Sequence, residues 1–294
     1  MNTARKLFYY NGGFLRQKRV RRILSLAGYE LTLGLPDRGD MVAVWGQSPN
    51  QYRGQWIAKK RKAGLLRVED AFLRSVQPGR AGDPPLGLIL DRSGCHFDAS
   101  YPCDLENILR HDPLKDTDLL CCAEQTIMRI RDNHISKYNA FETTQSPPAP
   151  GYVLVIDQTF GDAALRASGA GKAEFKAMLA AARREHPDAN IIIKSHAETI
   201  LGHRRGYFSA ADATDTIRLL ATPISPWQLF DGAIAVYTMS SQMGFEAILA
   251  GHTPHVFGQP FYAGWGLSKD RKPITGRTRI LSRAQLFAAA MILY

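Results

Sequence analysis

The chain has 294 residues, of which 45% are hydrophobic and 22% charged, and its formal net charge is +10. This composition is that of a globular protein with a large core, and it argues against disorder. No apolar run approaches the roughly 18 residues that span a bilayer, and the N-terminus lacks the apolar stretch and cleavage site of a signal peptide. We therefore predict a cytoplasmic protein whose positive charge meets an anionic partner or surface.

The first half of the chain alternates predicted strands with predicted helices, which is the pattern of parallel α/β units. Its predicted strands lie at 7–10, 41–45, 65–68 and 86–90, and its predicted helices at 14–27, 51–62, 105–110 and 116–133. Residues 92–94, Arg-Ser-Gly, have the composition of a hairpin turn that leads into a further strand at 95–97.

Two basic clusters, at 16–22 and 59–67, supply much of the positive charge. Neither is interleaved with stacking aromatic residues and no nucleic-acid-binding motif accompanies them, so we expect no nucleic-acid partner. An anionic membrane surface or an acidic substrate explains the charge equally well, and a solvated helix face is the remaining alternative. The four cysteines form no C-x-x-C pair and predict no zinc site.

A proline-rich segment at 142–151 divides the chain and is its best linker candidate. After it we predict strands and helices again, with strands at 152–156, 190–194, 216–220, 233–237 and 254–257 and helices at 172–185, 244–250 and 283–293. The whole pattern predicts an α/β protein with two facing Rossmann-like domains, residues 1–141 and 152–294, and a cleft between them.

Ligands of open parallel sheets bind at the carboxyl ends of the strands, and polar residues follow several predicted strands there. Ser240 and Ser241 open a helix whose N-terminus suits a phosphate, and Glu246 within that helix suits a ribose hydroxyl. Lys194 and His196 share one face of their strand and suit a phosphate or a carboxylated sugar. Each feature alone is more typical of a helix cap or a structural residue, so the prediction depends on their combination.

Acidic residues at different strand ends suit glycosyl transfer, because a retaining reaction uses one carboxylate as nucleophile and another as acid or base. Glu69 and Asp70 end one predicted strand, and Asp162 lies in a glycine-containing loop after another. Arg74 follows Asp70 closely. In a glycine-rich loop at 257–271, the aromatic residues Phe261, Tyr262 and Trp265 form either a sugar- or base-binding wall or part of the core.

Seven segments, in order along the chain, resemble the capsule polysaccharide β-Kdo transferases of the KpsC family. They are AVWGQSP (43–49), VEDAFLRS (68–75), PPLGLILDRSGCHFDAS (84–100), SKYN (136–139), VLVIDQTFGD (153–162), YTMSSQMGFEAILAG (237–251) and FGQPFYAGWGL (257–267). Members often carry two tandem modules, and this chain has the length of one, with a QTFGD segment more similar to the first. The family's His-Pro is His196-Ala197 here.

The resemblance implies a GT-B-like fold and transfer of Kdo from CMP-Kdo to a lipid-linked glycan acceptor of the phosphatidylglycerol type. It places the reaction at the cytoplasmic face of the inner membrane, among other capsule assembly proteins. No cofactor or metal is expected, because CMP carries a single phosphate and so presents no diphosphate to neutralise. The alternative is a non-catalytic module that binds a nucleotide or an acidic glycan.

On this basis we expect Asp162 to be the nucleophile and Glu69 the acid or base, with Asp70 as the alternative for either role. We expect Arg74 to bind the Kdo carboxylate. The residues expected to hold CMP are Gln158, Lys194, His196, Ser240, Ser241 and Glu246.

Overall fold

The computed structural model describes residues 4–142 and 144–294, so residues 1–3 and Thr143 of the predicted linker lie outside the described part. The described chain forms two β-sheets, one before and one after the linker. Helices connect most of the parallel strands in both sheets. The α/β fold class, with two halves that each carry a parallel sheet, is therefore confirmed.

The first sheet has the strand order β2-β1-β3-β4-β5. Its strands are β1 (Arg5–Tyr9), β2 (Tyr29–Thr32), β3 (Met41–Trp45), β4 (Gly64–Asp70) and β5 (Leu88–Asp91). All neighbours are parallel except β5, which runs antiparallel to β4. The helices of this half are α1 (Gly13–Arg16), α2 (Lys18–Leu26), α3 (Gln51–Arg61), α4 (Asp104–His111) and α5 (Thr117–Asp132).

The second sheet has the order β11-β10-β9-β6-β7-β8 and is parallel throughout. Its strands are β6 (Tyr152–Ile156), β7 (Ile191–Lys194), β8 (Ile217–Leu220), β9 (Ala233–Thr238), β10 (His255–Val256) and β11 (Lys269–Asp270). Every residue of the central strand β6 is buried, as expected where helices cover both faces of a sheet.

The helices of the second half follow or flank the strands of its sheet. They are α6 (Ala163–Ala167), α7 (Lys172–Glu185), α8 (Ala197–Ile200), α9 (Pro226–Gly232), α10 (Gln242–Ala250) and α11 (Arg283–Phe287), the last continuing into a π-helical segment, Ala288–Leu293. Because α6, α8 and α10 follow β6, β7 and β9, their N-termini lie at the carboxyl edge of the sheet.

The hairpin predicted at 92–94 is wrong, because the buried carboxylate of Asp91 organises this turn. Its Oδ1 accepts hydrogen bonds from the backbone N–H groups of Ser93 (2.8 Å) and Gly94 (2.7 Å). In the described chain, residues 95–97 form no strand, and β5 pairs with β4 instead. An Asp side chain that bonds to the backbone two and three residues later closes a turn without needing a second strand.

The predicted helix at 14–27 is interrupted at Gln17, whose ψ of 95° is extended, so α1 and α2 are separate. Strands β2 and β11 and helices α6, α8 and α9 were not predicted. Strand β2 has the sequence YELT and buries only its first residue fully, so the sequence carries little of the alternation that marks a strand.

Helices from the first half share a hydrophobic core with the second half. Leu105 of α4 and Ile127 of α5 belong to the same buried cluster as Phe287 of α11. The segment at 142–151 thus separates the two sheets along the sequence, while a common helical layer packs them together. The domain limits at 141 and 152 stay a prediction.

Candidate active site

A cavity of about 1660 Å³ lies where the carboxyl ends of β4, β6, β7 and β9 meet, and both halves of the chain line it. This is the position that the topology of parallel sheets predicts for a ligand. All ten residues selected from the sequence line this one cavity: Glu69, Asp70, Arg74, Gln158, Asp162, Lys194, His196, Ser240, Ser241 and Glu246. The roles assigned to them stay predictions.

Glu69 lies near the end of β4, where Gly46 leaves room for its carboxylate. A Cβ at position 46 would overlap Glu69 Oε1, and the φ of +36° at Gly46 also favours glycine. Burial, followed by the charge of Asp70, raises the pKa of Glu69 to about 7. A carboxyl group with this pKa exchanges its proton readily at neutral pH, which suits an acid or base catalyst.

Asp70 and Arg74 form an ion pair within the first half. Arg74 Nε donates to Asp70 Oδ2 at 2.7 Å, and Arg74 Nη1 donates to Ser75 Oγ at 2.7 Å and to the Asp83 carbonyl oxygen at 3.0 Å. The other oxygen of Asp70, Oδ1, is buried and has no hydrogen-bond partner among the described residues. Two nitrogen atoms of Arg74 are therefore already bound within the protein.

Asp162 reaches the cavity from the second half, where it is the N-cap of α6. Its Oδ1 accepts a hydrogen bond from the backbone N–H of Ala164 at 2.8 Å, and the turn before it uses the positive φ of Gly161, +71°. The charge of Asp162 contributes to raising the pKa of Glu69, after burial and the larger effect of Asp70. Carboxylates from both halves therefore share one electrostatic environment.

Glu246 joins the two halves from within α10. Its Oε1 accepts hydrogen bonds from Ser136 Oγ (2.8 Å) and from the backbone N–H of Lys137 (3.2 Å). Its Oε2 is buried without a hydrogen-bond partner in the described chain, and burial raises the pKa of Glu246 to about 7. An unpartnered oxygen on the wall of a cavity is an acceptor for a ligand hydroxyl.

The loop between β9 and α10 is held by Gln158, which follows β6. The backbone N–H of Ser240 donates to Gln158 Oε1 at 2.9 Å, and Gln158 Nε2 donates to Ser240 Oγ at 3.3 Å. Ser241 is the N-cap of α10, and its Oγ accepts from the backbone N–H of Met243 at 3.3 Å. The loop is thus positioned so that the start of α10 borders the cavity.

Lys194 and His196 lie at the end of β7 and just beyond it. Burial lowers the pKa of Lys194 to about 8 and the pKa of His196 to about 3, so this histidine is neutral at physiological pH. His196 is the N-cap of α8, and its Nδ1 accepts from the backbone N–H of Glu198 at 3.1 Å. The proton of the neutral ring is therefore on Nε2, which is left as a hydrogen-bond donor.

The aromatic loop at 257–267 divides between wall and core. Phe261 lines the cavity, whereas Tyr262 and Trp265 are fully buried in the main hydrophobic cluster. Arg277 holds the loop by donating through Nη1 to the carbonyl oxygens of residues 260 and 263. The interpretation as core is therefore correct for Tyr262 and Trp265.

Sequence reasoning missed other residues that line the cavity, among them His96, Lys137 and Tyr138. These three lie outside the ends of parallel strands, so the strand-end rule does not select them. Their signal is their presence in the segments GCHFDAS and SKYN, which the resemblance includes. His96 packs against Phe72 and Phe261, and burial lowers its pKa to about 3.

Within residues 4–142 and 144–294, no group of three or more His, Cys, Asp or Glu side chains is arranged to hold a metal ion. All four cysteines are free, two of them buried and two exposed. None of the described helices combines the length and the apolar character needed to cross a membrane.

Comparison with known proteins identifies relatives along the whole chain. A family described as "Capsule polysaccharide biosynthesis protein" matches residues 40–146 and 112–294. The chain is 37% identical over 308 residues to the capsule polysaccharide modification protein LipA of Neisseria meningitidis serogroup B, an alignment that covers 100% of this chain and 44% of LipA. It is 35% identical over 242 residues to the lipopolysaccharide-processing protein LpsZ of Rhizobium meliloti, covering 81% of this chain and 55% of LpsZ. The chain thus spans about half the length of these relatives.

Two solved structures from Thermosulfurimonas dismutans have the same fold. The KpsC β-Kdo 2,4 transferase is 34% identical, with a TM-score of 0.90 over 99% of this chain and 91% of that one. The KpsC β-Kdo 2,7 transferase is 24% identical, with a TM-score of 0.73 and the same coverage, and it supports the fold alone. These matches confirm the resemblance found in the sequence: the chain belongs to the capsule polysaccharide biosynthesis family that includes the KpsC transferases.

Proposed function

We propose that this chain is a retaining β-Kdo glycosyltransferase that transfers Kdo from CMP-Kdo to a lipid-linked glycan of the phosphatidylglycerol type. One observation carries the proposal: a single cavity combines three carboxylates from both halves with helix N-termini suited to a phosphate. The 34% identity to a β-Kdo 2,4 transferase of nearly equal length supports the sugar assignment. Two sheets facing a shared cavity also fit the GT-B arrangement.

In this proposal Asp162 is the nucleophile. Its carboxylate forms a bond to the anomeric carbon of Kdo while the bond from that carbon to the phosphate oxygen breaks, and CMP leaves with the electron pair. The acceptor hydroxyl then attacks the same carbon from the face that CMP vacated, and the bond to Asp162 breaks. Two inversions at one carbon retain its configuration.

Glu69 is the base in the second step, with Asp70 as the alternative. Glu69 takes the proton of the acceptor hydroxyl as that oxygen bonds to the anomeric carbon. Asp70 is less suited to this task, because one of its oxygens is bound to Arg74 at 2.7 Å. No step requires a metal, since a single phosphate leaves and cations and helix N-termini border the cavity.

The second half holds the nucleotide in this proposal. The Nε2–H of His196, the ammonium of Lys194 and the start of α10 at Ser240 and Ser241 surround the phosphate. Glu246 accepts a ribose hydroxyl on its unpartnered Oε2. Gln158 acts through Ser240, which it holds by two hydrogen bonds.

We also propose that the protein works in the cytoplasm at the anionic inner-membrane surface, together with other capsule assembly proteins. The basic residues of α2 are exposed, among them Lys18 and Arg22. Helix α3 exposes Tyr52 and Trp56, each 58% accessible, and Lys60 Nζ lies 4.8 Å from the Trp56 ring. The structure thus adds aromatic residues to the second basic cluster, and Trp, Tyr and Lys together are typical of membrane interfaces.

The test is turnover of CMP-Kdo with a short Kdo acceptor on a soluble lipid analogue. We expect a new β-linked Kdo, detected by mass and by the anomeric configuration in NMR spectra. Nucleotide binding without transfer to any acceptor or to water would instead favour the alternative, a non-catalytic nucleotide- or glycan-binding module. An α-linked product would contradict the retaining mechanism.

A further inference from the structure

Lys137 occupies a position in the cavity that the proposed mechanism does not use. Its backbone N–H donates to Glu246 Oε1 at 3.2 Å, and its carbonyl oxygen accepts from the backbone N–H groups of Arg74 (3.1 Å) and Ser75 (3.3 Å). Both halves of the chain therefore fix the backbone from which this side chain extends.

The ammonium group of Lys137 lies in the field of the catalytic carboxylates. Its Nζ is 5.5 Å from the centroid of the Tyr138 ring, and among the described residues no acceptor lies within hydrogen-bond distance of it. Burial acts to lower the pKa of Lys137, but Tyr138 and the charges of Asp162, Asp70 and Glu69 outweigh it, so the pKa is raised. The group is thus charged, half-buried and without a hydrogen-bonded partner among the described residues.

The other cations of the cavity are already engaged or lie at its rim. Arg74 is bound to Asp70, Lys194 Nζ donates to the Ser195 carbonyl oxygen at 3.1 Å, and Arg204 pairs with Glu198. Arg80 pairs with the same Glu198, and the remaining two, Lys18 and Arg19, are exposed on α2. In the proposed function Lys194 meets the phosphate, so Lys137 is the cation of the described lining that has no hydrogen-bond partner in the protein and is left for a second ligand anion.

The sugar of the proposed donor carries a carboxylate, and this anion enters the part of the cavity around Lys137. The sugar carboxylate is bonded directly to the anomeric carbon, so the carboxylate must enter wherever that carbon meets the nucleophile and the base. Three protein carboxylates would repel it there, at a cost that is large inside a protein. A cation among those carboxylates offsets the repulsion. It also forms a hydrogen bond with the sugar carboxylate, so that the ammonium and the carboxylate each gain a partner.

We propose that Lys137 binds the carboxylate of the donor sugar and so selects 2-keto sugar acids over neutral sugars. This inference rests on the proposed function, and it transfers to Lys137 the task that the sequence suggested for Arg74. Lys137 contacts the reacting substrate directly, whereas Arg74 holds Asp70 in place.

The experiment compares two proteins in which the donor is not consumed: Asp162→Asn alone and Asp162→Asn with Lys137→Met. The dissociation constants for CMP and for CMP-Kdo are measured by calorimetry at pH 7.5. In the parent we expect CMP-Kdo to bind more tightly than CMP. In the double variant we expect CMP-Kdo to bind roughly 10- to 100-fold more weakly than in the parent, the loss expected for a charge-assisted hydrogen bond, while CMP binding changes less than about threefold.

The outcomes separate this inference from the function on which it rests. A parent protein that binds CMP-Kdo no better than CMP would count against the proposed donor. A parent that prefers CMP-Kdo, with an unchanged preference in the double variant, would overturn the role of Lys137 alone. Equal loss of CMP and CMP-Kdo would show that Lys137 binds the phosphate or supports the fold, and it too would overturn the inference.

A second substitution distinguishes the loss of the Lys137 charge from a folding defect. Lys137→Arg keeps the charge, so in the Asp162→Asn background it should restore at least part of the preference for CMP-Kdo. Retained CMP binding in the Lys137→Met protein reports a folded nucleotide site. If Lys137→Arg and Lys137→Met lose the preference equally while both bind CMP normally, charge is not the property required and the inference is wrong.

Discussion

The two walls of the cavity are built differently. The first half contributes Glu69 and Asp70 from the end of β4, close to the sheet's antiparallel edge, and holds them by local contacts with Gly46 and Arg74. The second half contributes residues that follow parallel strands and begin helices. His196 and Ser241 are the N-caps of two of these helices, α8 and α10. In the proposed function, the acid–base residues and the phosphate-binding residues therefore come from different halves of the chain, and the proposed nucleophile, Asp162, comes from the second half.

From this difference we expect substitutions to fall into two classes, those that affect turnover and those that affect CMP binding. Changes at Glu69, Asp70 and Asp162 should affect turnover and leave CMP binding intact, because the proposed contacts to CMP do not include them. Changes at His196, Ser240 and Ser241 should weaken CMP binding, because these residues surround the phosphate in the proposed function. The predictions below test this division, from the largest expected effect to the smallest.

The largest effect is expected for Asp162→Asn, which removes the proposed nucleophile. Turnover should fall by roughly three orders of magnitude or more, while the dissociation constant for CMP changes less than about twofold. Intact-mass analysis of the wild-type protein with CMP-Kdo and no acceptor should detect an added Kdo on Asp162. An adduct on Glu69 or Asp70 would reassign the nucleophile, and near-normal turnover by the variant would exclude Asp162.

Glu69→Gln should reduce turnover by roughly 10²- to 10⁴-fold, the usual contribution of a general base. In the wild-type protein, kcat/KM for the acceptor should fall as the pH drops below about 7, because burial raises the pKa of Glu69 to about 7 and only the ionised form accepts a proton. The variant should lose this dependence. If Asp70→Asn abolishes the dependence and Glu69→Gln keeps it, Asp70 is the base.

Gly46→Ala should impair catalysis without touching any ligand, because the new Cβ would displace the carboxylate of Glu69. We expect turnover to fall roughly tenfold or more, since small displacements of a catalytic group are costly, with CMP binding unchanged. Gly12→Ala is the matched control, because a Cβ there meets no atom within 4 Å and its φ of −61° suits alanine. Equal activity of both variants would show that the Glu69 side chain lies elsewhere during turnover.

In the opposite wall, His196→Ala should weaken CMP binding roughly tenfold and remove most of the increase in melting temperature that CMP produces. UMP should stabilise the wild-type protein less than CMP does. The exposed His203, changed to Ala, is the control and should leave CMP binding unaltered. Equal stabilisation by CMP, UMP and ADP would exclude cytidine recognition.

Much of this arrangement could be predicted because strand ends are visible in a sequence. The apolar runs before Glu69, Gln158 and Lys194 locate strands β4, β6 and β7. Topology brings the ends of β6 and β7 to one edge of the second sheet, and the end of β4, in the first sheet, lines the same cavity. The turn at 92–94 was mistaken because a carboxylate from the preceding strand, rather than a pairing strand, closes it.

Three of the lining residues that the sequence analysis missed do not lie at strand ends. Lys137 and Tyr138 follow α5 and reach the cavity only because the helices of both halves share a core. Likewise, the hydrogen bonds of Arg74 to Asp70, Ser75 and Asp83 depend on side-chain packing that no periodicity encodes. Local patterns therefore predict which residues reach the edge of a sheet. They do not predict which of these residues are already hydrogen-bonded to other groups of the protein.

The smallest effect is expected at the outer surface, where two exposed basic helices differ in composition. Arg22→Gln in α2 and Lys60→Gln in α3 should each reduce binding to anionic vesicles by about fivefold at low salt, the contribution of one charge near a membrane, and both effects should fade as salt is added. Trp56→Ala should reduce binding at low and high salt alike, because insertion of its ring is not screened. Lys115→Gln, at another exposed site, controls for net charge. All four variants should keep wild-type turnover on a soluble acceptor. If Lys115→Gln weakens vesicle binding as much as Lys60→Gln does, the attraction to the vesicle follows net charge and α3 is not the contact surface.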